Sequence, residues 1–365
     1  HRLMGAWEPS GDWFRALLDE HGAADDRSLP YPFFLASPLG ESPDQLGVLD
    51  AWQVEWMWDG IRGQLIRREG EIFLWTRSEE LVTDRYPELS AMAAGNLPDG
   101  SVVDGVILAW NENGVMPPAV LQERMGRSKV TKQVLKEAPV GFFAYDLLEE
   151  GCVDLRHLPL VERRRRLSNV VMDVGPPLMI SATIEVENWE DLAAIREGAR
   201  ARRVGGLMLK RVTSAYGVGR TPSDWRKWKI DPFTIDAVLI NAQAGSARRA
   251  SLFSDYTFAI WKGAELVPIA KASSGLSEKE IATLDQWIRE NTSERFGPVR
   301  AVEPHHVFEI AFEGGRASSR RKSGVALRSP HIVRWRTDKA PADADKIEQV
   351  MALLEIKGGQ QGSKF

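Results

Sequence analysis

The sequence lacks several features that would assign it to common protein classes. Its 365 residues include a single cysteine, Cys152, which excludes an internal disulfide and fits a reducing compartment such as the cytoplasm. No apolar run approaches the roughly 18 residues of a membrane-spanning helix, so no membrane partner is expected. The six histidines show neither an H-E-x-x-H motif nor a Cys/His ligand spacing, which argues against a structural zinc site.

What is present is the composition of an ordinary globular protein, with 43% apolar and 27% charged residues. The length favours two domains. The net charge of −4 does not suggest a polyanion as partner, but residues 314–337 contain no acidic residue and seven basic ones. This basic segment predicts local phosphate binding, which needs positive surface rather than a positive total. Residues 163–166 are also basic, and on a predicted helix at 159–171 we expect them to form a solvated face.

The sequence patterns divide the chain into three parts. Residues 1–30 predict a tether that follows an upstream domain missing from this chain. Residues 31–232 predict an α+β domain of antiparallel sheets and helices, because short turns separate its strands. The strands predicted there are 53–58, 64–68, 72–75, 102–110, 141–148 and 207–211, and one amphipathic helix is predicted at 189–201.

Residues 233–365 predict an OB-fold β-barrel domain that ends in a C-terminal helix at 344–356. One helix, 277–291, interrupts the strands, and Ser277 followed by Glu280 predicts a capping box at its start. The strands predicted in this part are 235–241, 250–252, 256–261, 266–272, 307–312 and 325–327.

Short motifs occur in a fixed order along most of the chain. Residues 55–62 read EWMWDGIR, and the later segments are TRS at 76–78, VDGV at 103–106, FAYDLL at 143–148, GGLMLK at 205–210, WRKWK at 225–229, KSGVALR at 322–328 and RTDK at 336–339. The series resembles the motifs of covalent nucleotidyltransferases, beginning with K-x-D-G-x-R. The last two segments point to ATP-dependent DNA ligases, and the chain most resembles a bacterial one. Any one motif alone carries a more ordinary structural interpretation, but the ordered series does not.

The resemblance implies a reaction in three steps. A lysine attacks ATP to give a lysyl-AMP, the AMP moves to the 5′-phosphate of a nick, and the 3′-hydroxyl displaces AMP and seals the strand in DNA replication, repair or recombination. It further implies ATP and Mg²⁺ or Mn²⁺ as cofactors, nicked duplex DNA as partner, and a monomer that normally carries an N-terminal DNA-binding domain.

The resemblance also implies roles for individual residues around the nucleotide. Glu55 would accept a hydrogen bond from the adenine amino group, a contact that discriminates strongly against other bases. Tyr145 would stack on adenine, with Phe143 as the alternative on the same side of its strand. The remaining expected contacts are ribose or a 5′-phosphate for Arg62 and Arg77, placement of the reacting groups for Asp59, the α-phosphate for Lys210, Lys227 and Lys229, and pyrophosphate for Arg336 and Lys339.

The chain departs from the family motifs at the positions that carry the chemistry. Met57 stands where the motif has its nucleophilic lysine, and Val106 and Gly205 stand where it has metal-binding glutamates. Methionine matches lysine in length but has no amine, so we predict that the fold survives and self-adenylation does not. Among the residues expected at the DNA, which are Arg77, Lys322, Arg328, Ser329 and His331, the last two replace an expected aromatic and arginine.

Several alternatives remain open at this stage. The substitutions fit either a deliberately disabled ligase or a natural homologue that kept only binding. The chain could accordingly be a non-catalytic module that binds nicks or ATP. An RNA ligase or capping-type nucleotidyltransferase is a further alternative, which Glu55 and the segment 322–328 disfavour.

Overall fold

A computed structural model describes residues 27–127, 129–220, 224–244, 252–273 and 275–354. The chain divides between Ile230 and Asp231 into two units. Residues 1–26 of the predicted tether and residues 250–251 of the predicted strand at 250–252 lie outside the described residues, while Ser28 and Pro30 at the end of that tether are buried. Among the described residues, no helix has the length and apolar character needed to cross a bilayer.

The first unit contains thirteen strands and five α-helices in its described part. The strands are β1 (Phe34–Leu35), β2 (Ser37–Pro38), β3 (Trp52–Trp56), β4 (Ile61–Arg68), β5 (Glu71–Thr76), β6 (Ser101–Asn111), β7 (Gly114–Val115), β8 (Val140–Glu150), β9 (Val153–Asp154), β10 (Leu178–Ile180), β11 (Gly206–Arg211), β12 (Gly219–Arg220) and β13 (Trp225–Lys229). The helices are α1 (Pro87–Asn96), α2 (Pro118–Met125), α3 (Lys132–Glu137), α4 (Leu160–Val174) and α5 (Trp189–Glu197).

Two sheets form the body of this unit. The larger follows the order β10-β8-β6-β4-β5, and the smaller follows β2-β13-β11-β3. Neighbours are antiparallel except for β8 with β10 and β2 with β13. Strands β6 and β8 are buried along nearly their whole length, as expected for sheet interiors covered on both faces. The arrangement matches the predicted antiparallel α+β domain.

Two glycines of the motif segments permit close approach between strands. A Cβ atom on Gly60 would lie 2.4 Å from the Ile107 carbonyl oxygen, and one on Gly105 would lie 2.4 Å from the Phe142 ring. Any side chain at either position would therefore push the strands apart. The glycines in segments 55–62 and 103–106 thus have a packing reason that is independent of chemistry.

The prediction of a solvated face at 163–166 is wrong for half of that segment. Arg163 is fully buried and pairs with the equally buried Asp146, at 2.7 Å from Nε to Oδ1. Arg164 is also buried and donates to the Ala144 carbonyl at 3.2 Å. Only Arg165 and Arg166 reach solvent. Helix α4 has a buried face and an exposed face. The sequence alone does not reveal that the buried Asp146 lies against the buried face.

The second unit contains nine strands and two α-helices in its described part. The strands are β14 (Phe233–Ala244), β15 (Phe253–Lys262), β16 (Glu265–Ala272), β17 (Thr292–Phe296), β18 (Val299–Val302), β19 (Val307–Phe312), β20 (Gly314–Ala317), β21 (Val325–Arg328) and β22 (His331–Arg336). The helices are α6 (Glu278–Glu290) and α7 (Ile347–Leu353).

One strongly curled sheet organises this unit. Strand β14 pairs with β15 on one edge and with both β18 and β19 on the other, with register shifts along its length. Strand β19 continues to β22, while β20 and β21 form a separate hairpin. Helix α6 buries Ile281, Leu284 and Ile288, and the predicted capping box between Ser277 and Glu280 is present. Helix α7 is shorter than predicted, and strands β17, β18, β20 and β22 were not predicted.

Candidate functional site

The first unit holds a cavity of about 370 Å³ between its two sheets. Its walls come from β3, β4, β5, β6, β8, β11 and β13 and from the turns that join them. The lining residues are Glu55, Trp56, Met57, Trp58, Gly60, Ile61, Arg62, Thr76, Arg77, Ser78, Val106, Tyr145, Met208, Lys210, Trp225 and Lys227. Eight of the predicted site residues therefore meet in one place: Met57, Lys210, Lys227, Glu55, Arg62, Arg77, Tyr145 and Val106.

The register of the smaller sheet explains how three of these side chains meet. Met208 on β11 lies opposite Glu55 on β3 and opposite Lys227 on β13. Side chains at such cross-strand positions share one face of a sheet. The alternation along each strand then places Lys210 in the next row, opposite Trp225.

A buried ion pair lies in this sheet. Lys210 Nζ is 2.7 Å from Glu55 Oε1, and each side chain is only 2% exposed. Gln53 Nε2 donates to the same carboxylate oxygen at 2.7 Å. The Lys210 ammonium also lies 4.1 Å from the centre of the Tyr145 ring and 4.7 Å from that of Trp225. Aromatic faces attract a cation, so the ammonium is held on several sides.

The charges around Glu55 keep it ionised. Burial raises the pKa of its carboxyl, but attraction to Lys210 and Arg164, with hydrogen bonds from Lys210 and Ser181, outweighs burial and leaves the pKa below its usual value. A buried carboxylate of this kind accepts hydrogen bonds and donates none. The site can therefore recognise a ligand donor such as an amino group.

A second buried carboxylate, Asp104, joins three of the surrounding side chains. Arg62 donates to it twice, at 3.3 Å through Nε and 2.7 Å through its terminal nitrogen. The Tyr145 hydroxyl donates to Asp104 Oδ1 at 2.9 Å and the Tyr216 hydroxyl to Oδ2 at 2.5 Å. Arg62 is also held by the Phe34 carbonyl at 2.6 Å. We call Gln53, Glu55, Arg62, Asp104, Tyr145 and Lys210 the polar cluster.

The two aromatic candidates for stacking occupy different surroundings. Tyr145 lines the cavity. Phe143 is not among the lining residues and packs on Trp58, with ring centres 5.4 Å apart, beside Val106 and Leu108. The structure thus brings Tyr145, rather than Phe143, to the cavity wall.

Two of the three positions that depart from the family motifs, Met57 and Gly205, lie next to each other. Met57 and Gly205 are hydrogen-bonded through their backbones, with Gly205 N donating to Met57 O at 2.9 Å. A Cβ atom on Gly205 would lie 2.3 Å from the Met57 methyl carbon. The methionine side chain therefore fills the space in which a side chain at position 205 would begin. Val106 is buried against Leu108 and Phe143 at the cavity wall. We call Met57, Val106 and Gly205 the apolar group.

The apolar group does not fit a divalent metal. Mg²⁺ and Mn²⁺ prefer oxygen ligands, and none of the three side chains offers an oxygen. Among the residues that the structure describes, no group of three or more His, Cys, Asp or Glu side chains is placed to hold a metal ion. The one carboxylate among the lining residues, Glu55, is engaged by Lys210 and Gln53.

Two cations of the cavity make no ion pair with any described residue. Arg77 is exposed, and Lys227 is half-buried. Burial, followed by repulsion from Arg77, Arg62 and other cations, lowers the pKa of the Lys227 ammonium. The predicted residues Asp59 and Lys229 flank the cavity in sequence but are not among its lining residues.

The second unit brings two other predicted residues together. Arg336 donates to both carboxylate oxygens of Asp236 at 3.1 Å, and Lys339 Nζ lies 2.5 Å from Asp236 Oδ2. Asp338 also pairs with Arg336, at 2.7 Å. Asp236 therefore presents the arginine and the lysine side by side.

The predicted DNA residues of this unit lie on exposed segments around the β20–β21 hairpin. Lys322 is in its turn, and Arg328, Ser329 and His331 follow along and beyond β21, all of them exposed. Ser329 adopts a left-handed backbone conformation with φ of 52°, which is uncommon outside glycine. The structure agrees with their being accessible.

The contacts of the polar cluster involve four residues that were not predicted as site residues: Gln53, Asp104, Tyr216 and Trp225. Asp104 carried a signal, because it is a charged residue within a run of apolar residues in segment 102–109. Tyr216 carried none, since it lies in an irregular segment far along the chain from the residues it contacts.

Comparison with known proteins identifies the family. Residues 34–229 match the ATP dependent DNA ligase domain, and residues 249–339 match the ATP dependent DNA ligase C terminal region. The chain belongs to the family of ATP-dependent DNA ligases. This confirms the family predicted from the ordered motifs and disfavours the RNA ligase and capping alternatives.

Curated relatives agree with this family. A probable DNA ligase of Koribacter versatilis is 33% identical over 91% of this chain and 61% of its own length. A probable DNA ligase of Opitutus terrae is 35% identical over 88% of this chain and 35% of its own length. The chain thus spans less than two thirds of either relative.

A solved structure named Pmar-Lig_PreS3 matches with a TM-score of 0.66 and 14% identity, over 84% of this chain and 68% of that one. At this identity the likeness concerns the fold alone. It confirms the predicted fold class, a nucleotidyltransferase domain followed by an OB-fold domain.

Proposed function

We propose that this chain is the catalytic core of an ATP-dependent DNA ligase that binds adenine nucleotide and nicked duplex DNA but does not adenylate itself. The observation that carries the proposal is Met57. Its thioether packs beside Gly205 at a cavity whose polar cluster is otherwise complete. Recognition and covalent chemistry are therefore separable in this chain.

The polar cluster supports recognition of adenosine. The ionised Glu55 is suited to accept a hydrogen bond from the adenine amino group, and Tyr145 offers a wall for the base. Asp104 fixes the Tyr145 hydroxyl and the Arg62 guanidinium before any ligand binds. Such preorganisation lowers the ordering cost of binding.

The first chemical step requires a nucleophile that Met57 cannot replace. A lysine nitrogen forms a bond to the α-phosphorus of ATP, pyrophosphate leaves, and the nitrogen loses a proton. The methionine sulfur has no proton to lose and would have to form a cationic sulfonium. Lys210 is not a substitute, because its nitrogen is buried and hydrogen-bonded to Glu55 at 2.7 Å.

The last chemical step does not require a lysine nucleophile. The 3′-hydroxyl oxygen attacks the phosphorus of an adenylylated 5′ end, AMP leaves, and the strand is sealed. Arg77, Lys227 and Lys229 are the cations that would neutralise charge developing on that phosphate. This chain would thus act on ends that have already been activated.

The second unit would bind the DNA backbone through the basic segment 314–337. Arg336 and Lys339, held together by Asp236, would face a phosphate group. We propose that the chain works in this way as a monomer in the cytoplasm.

Nick sealing with two substrates tests the proposal. One substrate is an ordinary 5′-phosphorylated nick supplied with ATP, and the other is a pre-adenylylated nick without ATP. We expect binding of both and no sealing of the ordinary nick, even with protein in excess over DNA. Any sealing would be confined to the pre-adenylylated nick. Turnover of the ordinary nick with ATP would contradict the proposal.

A further inference from the structure

The charges that line the cavity indicate how it would bind the phosphates of a nucleotide. This inference rests on the proposed function. The lining residues include four cations, which are Arg62, Arg77, Lys210 and Lys227, and the single carboxylate Glu55. Arg62 is paired with Asp104, and Lys210 with Glu55. The described residues leave Arg77 and Lys227 without a carboxylate partner.

The same region cannot neutralise a metal ion. In the family motifs, two glutamates stand where Val106 and Gly205 stand here, and a divalent cation would link such carboxylates to the phosphates. With an isopropyl group and a hydrogen in their places, the lining offers a cation next to Lys227 no carboxylate except Glu55, which is already paired with Lys210. Repulsion of that kind already acts on Lys227, whose pKa is lowered by burial and then by Arg77 and Arg62.

We propose that this cavity binds the phosphates of an adenine nucleotide directly through Lys227 and Arg77, without a divalent cation. Free ATP carries more negative charge than its magnesium complex and is attracted more strongly by two uncompensated cations. The preferred ligand is thus the metal-free nucleotide, the reverse of the preference expected where glutamates line the site.

Isothermal titration of the whole chain with ATP, in EDTA and in excess MgCl₂, tests the proposal. We expect ATP to bind more tightly in EDTA than in excess Mg²⁺, by up to about tenfold. The Lys227→Gln variant should lose about tenfold in EDTA, because one of the two cations is gone. Lys279→Gln, the same substitution at an exposed position of the second unit, should bind as the native chain does.

A matched pair at Val106 tests the reason for the preference. Val106→Glu adds a carboxylate to the cavity wall and should bind ATP more tightly in Mg²⁺ than in EDTA. Val106→Gln has nearly the same shape without the charge and should keep the native order. If both variants behave alike, the carboxylate is not what sets the preference and the proposal is overturned.

The remaining outcomes separate this inference from the proposed function. ATP binding by the native chain that is as tight or tighter in Mg²⁺ than in EDTA, or that occurs only in Mg²⁺, would overturn the inference and leave the proposed ligase core intact. Absence of ATP binding in both buffers would overturn the inference as well. If nicked DNA also failed to bind, the proposed function would fall with it.

Discussion

The polar cluster and the apolar group adjoin the same cavity but differ in kind. Members of the polar cluster satisfy one another in the buried wall, as in the contacts of Glu55 with Lys210 and of Asp104 with Arg62. In the apolar group, Met57 and Gly205 are joined by one backbone hydrogen bond, and the Met57 methyl lies where a side chain at position 205 would begin. On the proposed function, the polar cluster holds the residues that would recognise a nucleotide, whereas the apolar group occupies the positions expected to react with it or to hold its metal. Recognition and chemistry would then depend on different residues of the same cavity.

The difference has a physical basis. Removing one member of a buried ionic network leaves an unpaired charge and destabilises the fold by about 3–5 kcal/mol. A methionine of similar length in place of a lysine at the partly buried position 57 adds no buried charge. A change within the polar cluster is consequently expected to cost the fold more than a change between lysine and methionine at position 57.

The largest effect on stability is expected at Asp104. The Asp104→Asn variant removes a fully buried charge shared by Arg62 and the Tyr145 and Tyr216 hydroxyls. We expect it to lower the free energy of unfolding by about 3–5 kcal/mol in urea titrations. The exposed Asp173→Asn variant should change it by less than about 0.5 kcal/mol. If both variants changed the free energy of unfolding equally, the polar cluster would contribute no more to stability than an exposed surface residue.

The next effect concerns Glu55 and depends on pH. Its pKa is lower in the folded chain than its usual value of about 4.3, so the folded state binds fewer protons than the unfolded state around that pH. The stability that Glu55 contributes is present above pH of about 4.3 and is lost as the pH falls through the lower folded value. The stability gap between native chain and Glu55→Gln should thus be widest near neutral pH.

Urea titrations of the two proteins from neutral to acidic pH measure this gap. It should narrow as the pH falls below about 4.3. A gap that stayed constant or widened on acidification would mean that Glu55 is not stabilised as a carboxylate. Loss of ATP binding by Glu55→Gln at neutral pH would further connect the cluster to recognition.

An intermediate effect is expected in the second unit. Arg328→Gln removes one of the exposed cations of the basic segment. If that cation meets a DNA phosphate, the slope of log affinity against log salt should fall in magnitude by about 0.9. Fluorescence anisotropy with nicked duplex at several salt concentrations gives the slope. An unchanged slope would place Arg328 away from the DNA, and Lys279→Gln serves as the control.

The smallest effect is expected within the apolar group. A Cβ at position 205 would lie 2.3 Å from the Met57 methyl carbon, so Gly205→Ala forces that flexible side chain to move. A double-mutant cycle with Met57→Ala should give a coupling of about 0.5–1 kcal/mol, with Gly205→Ala less costly once the methionine is short. Additive effects would show that the two positions do not compete for space.

Much of this was predictable from the sequence because motif order and strand alternation survive the substitutions. The cavity residues Glu55, Arg62 and Lys210 could be assigned from segments 55–62 and 205–210. The contact between Asp104 and Tyr216 could not, because it joins a strand to an irregular segment 112 residues further along the chain. The burial of Arg163 was missed for the same reason, since its partner Asp146 lies on another element. Local sequence patterns reveal which residues share one face of a helix or strand, but not which charged residue of another element packs against that face.

The most direct test is labelling with α-³²P-ATP, comparing the native chain with a Met57→Lys, Val106→Glu, Gly205→Glu triple variant. The account predicts no covalent AMP on the native chain, although the chain binds ATP. On the triple variant it predicts a covalent label that withstands alkali and is released by acid, as expected of a lysyl phosphoramidate. Covalent AMP on the native chain would contradict the account, and an unlabelled triple variant that still folds and binds ATP would contradict the assignment of these three positions.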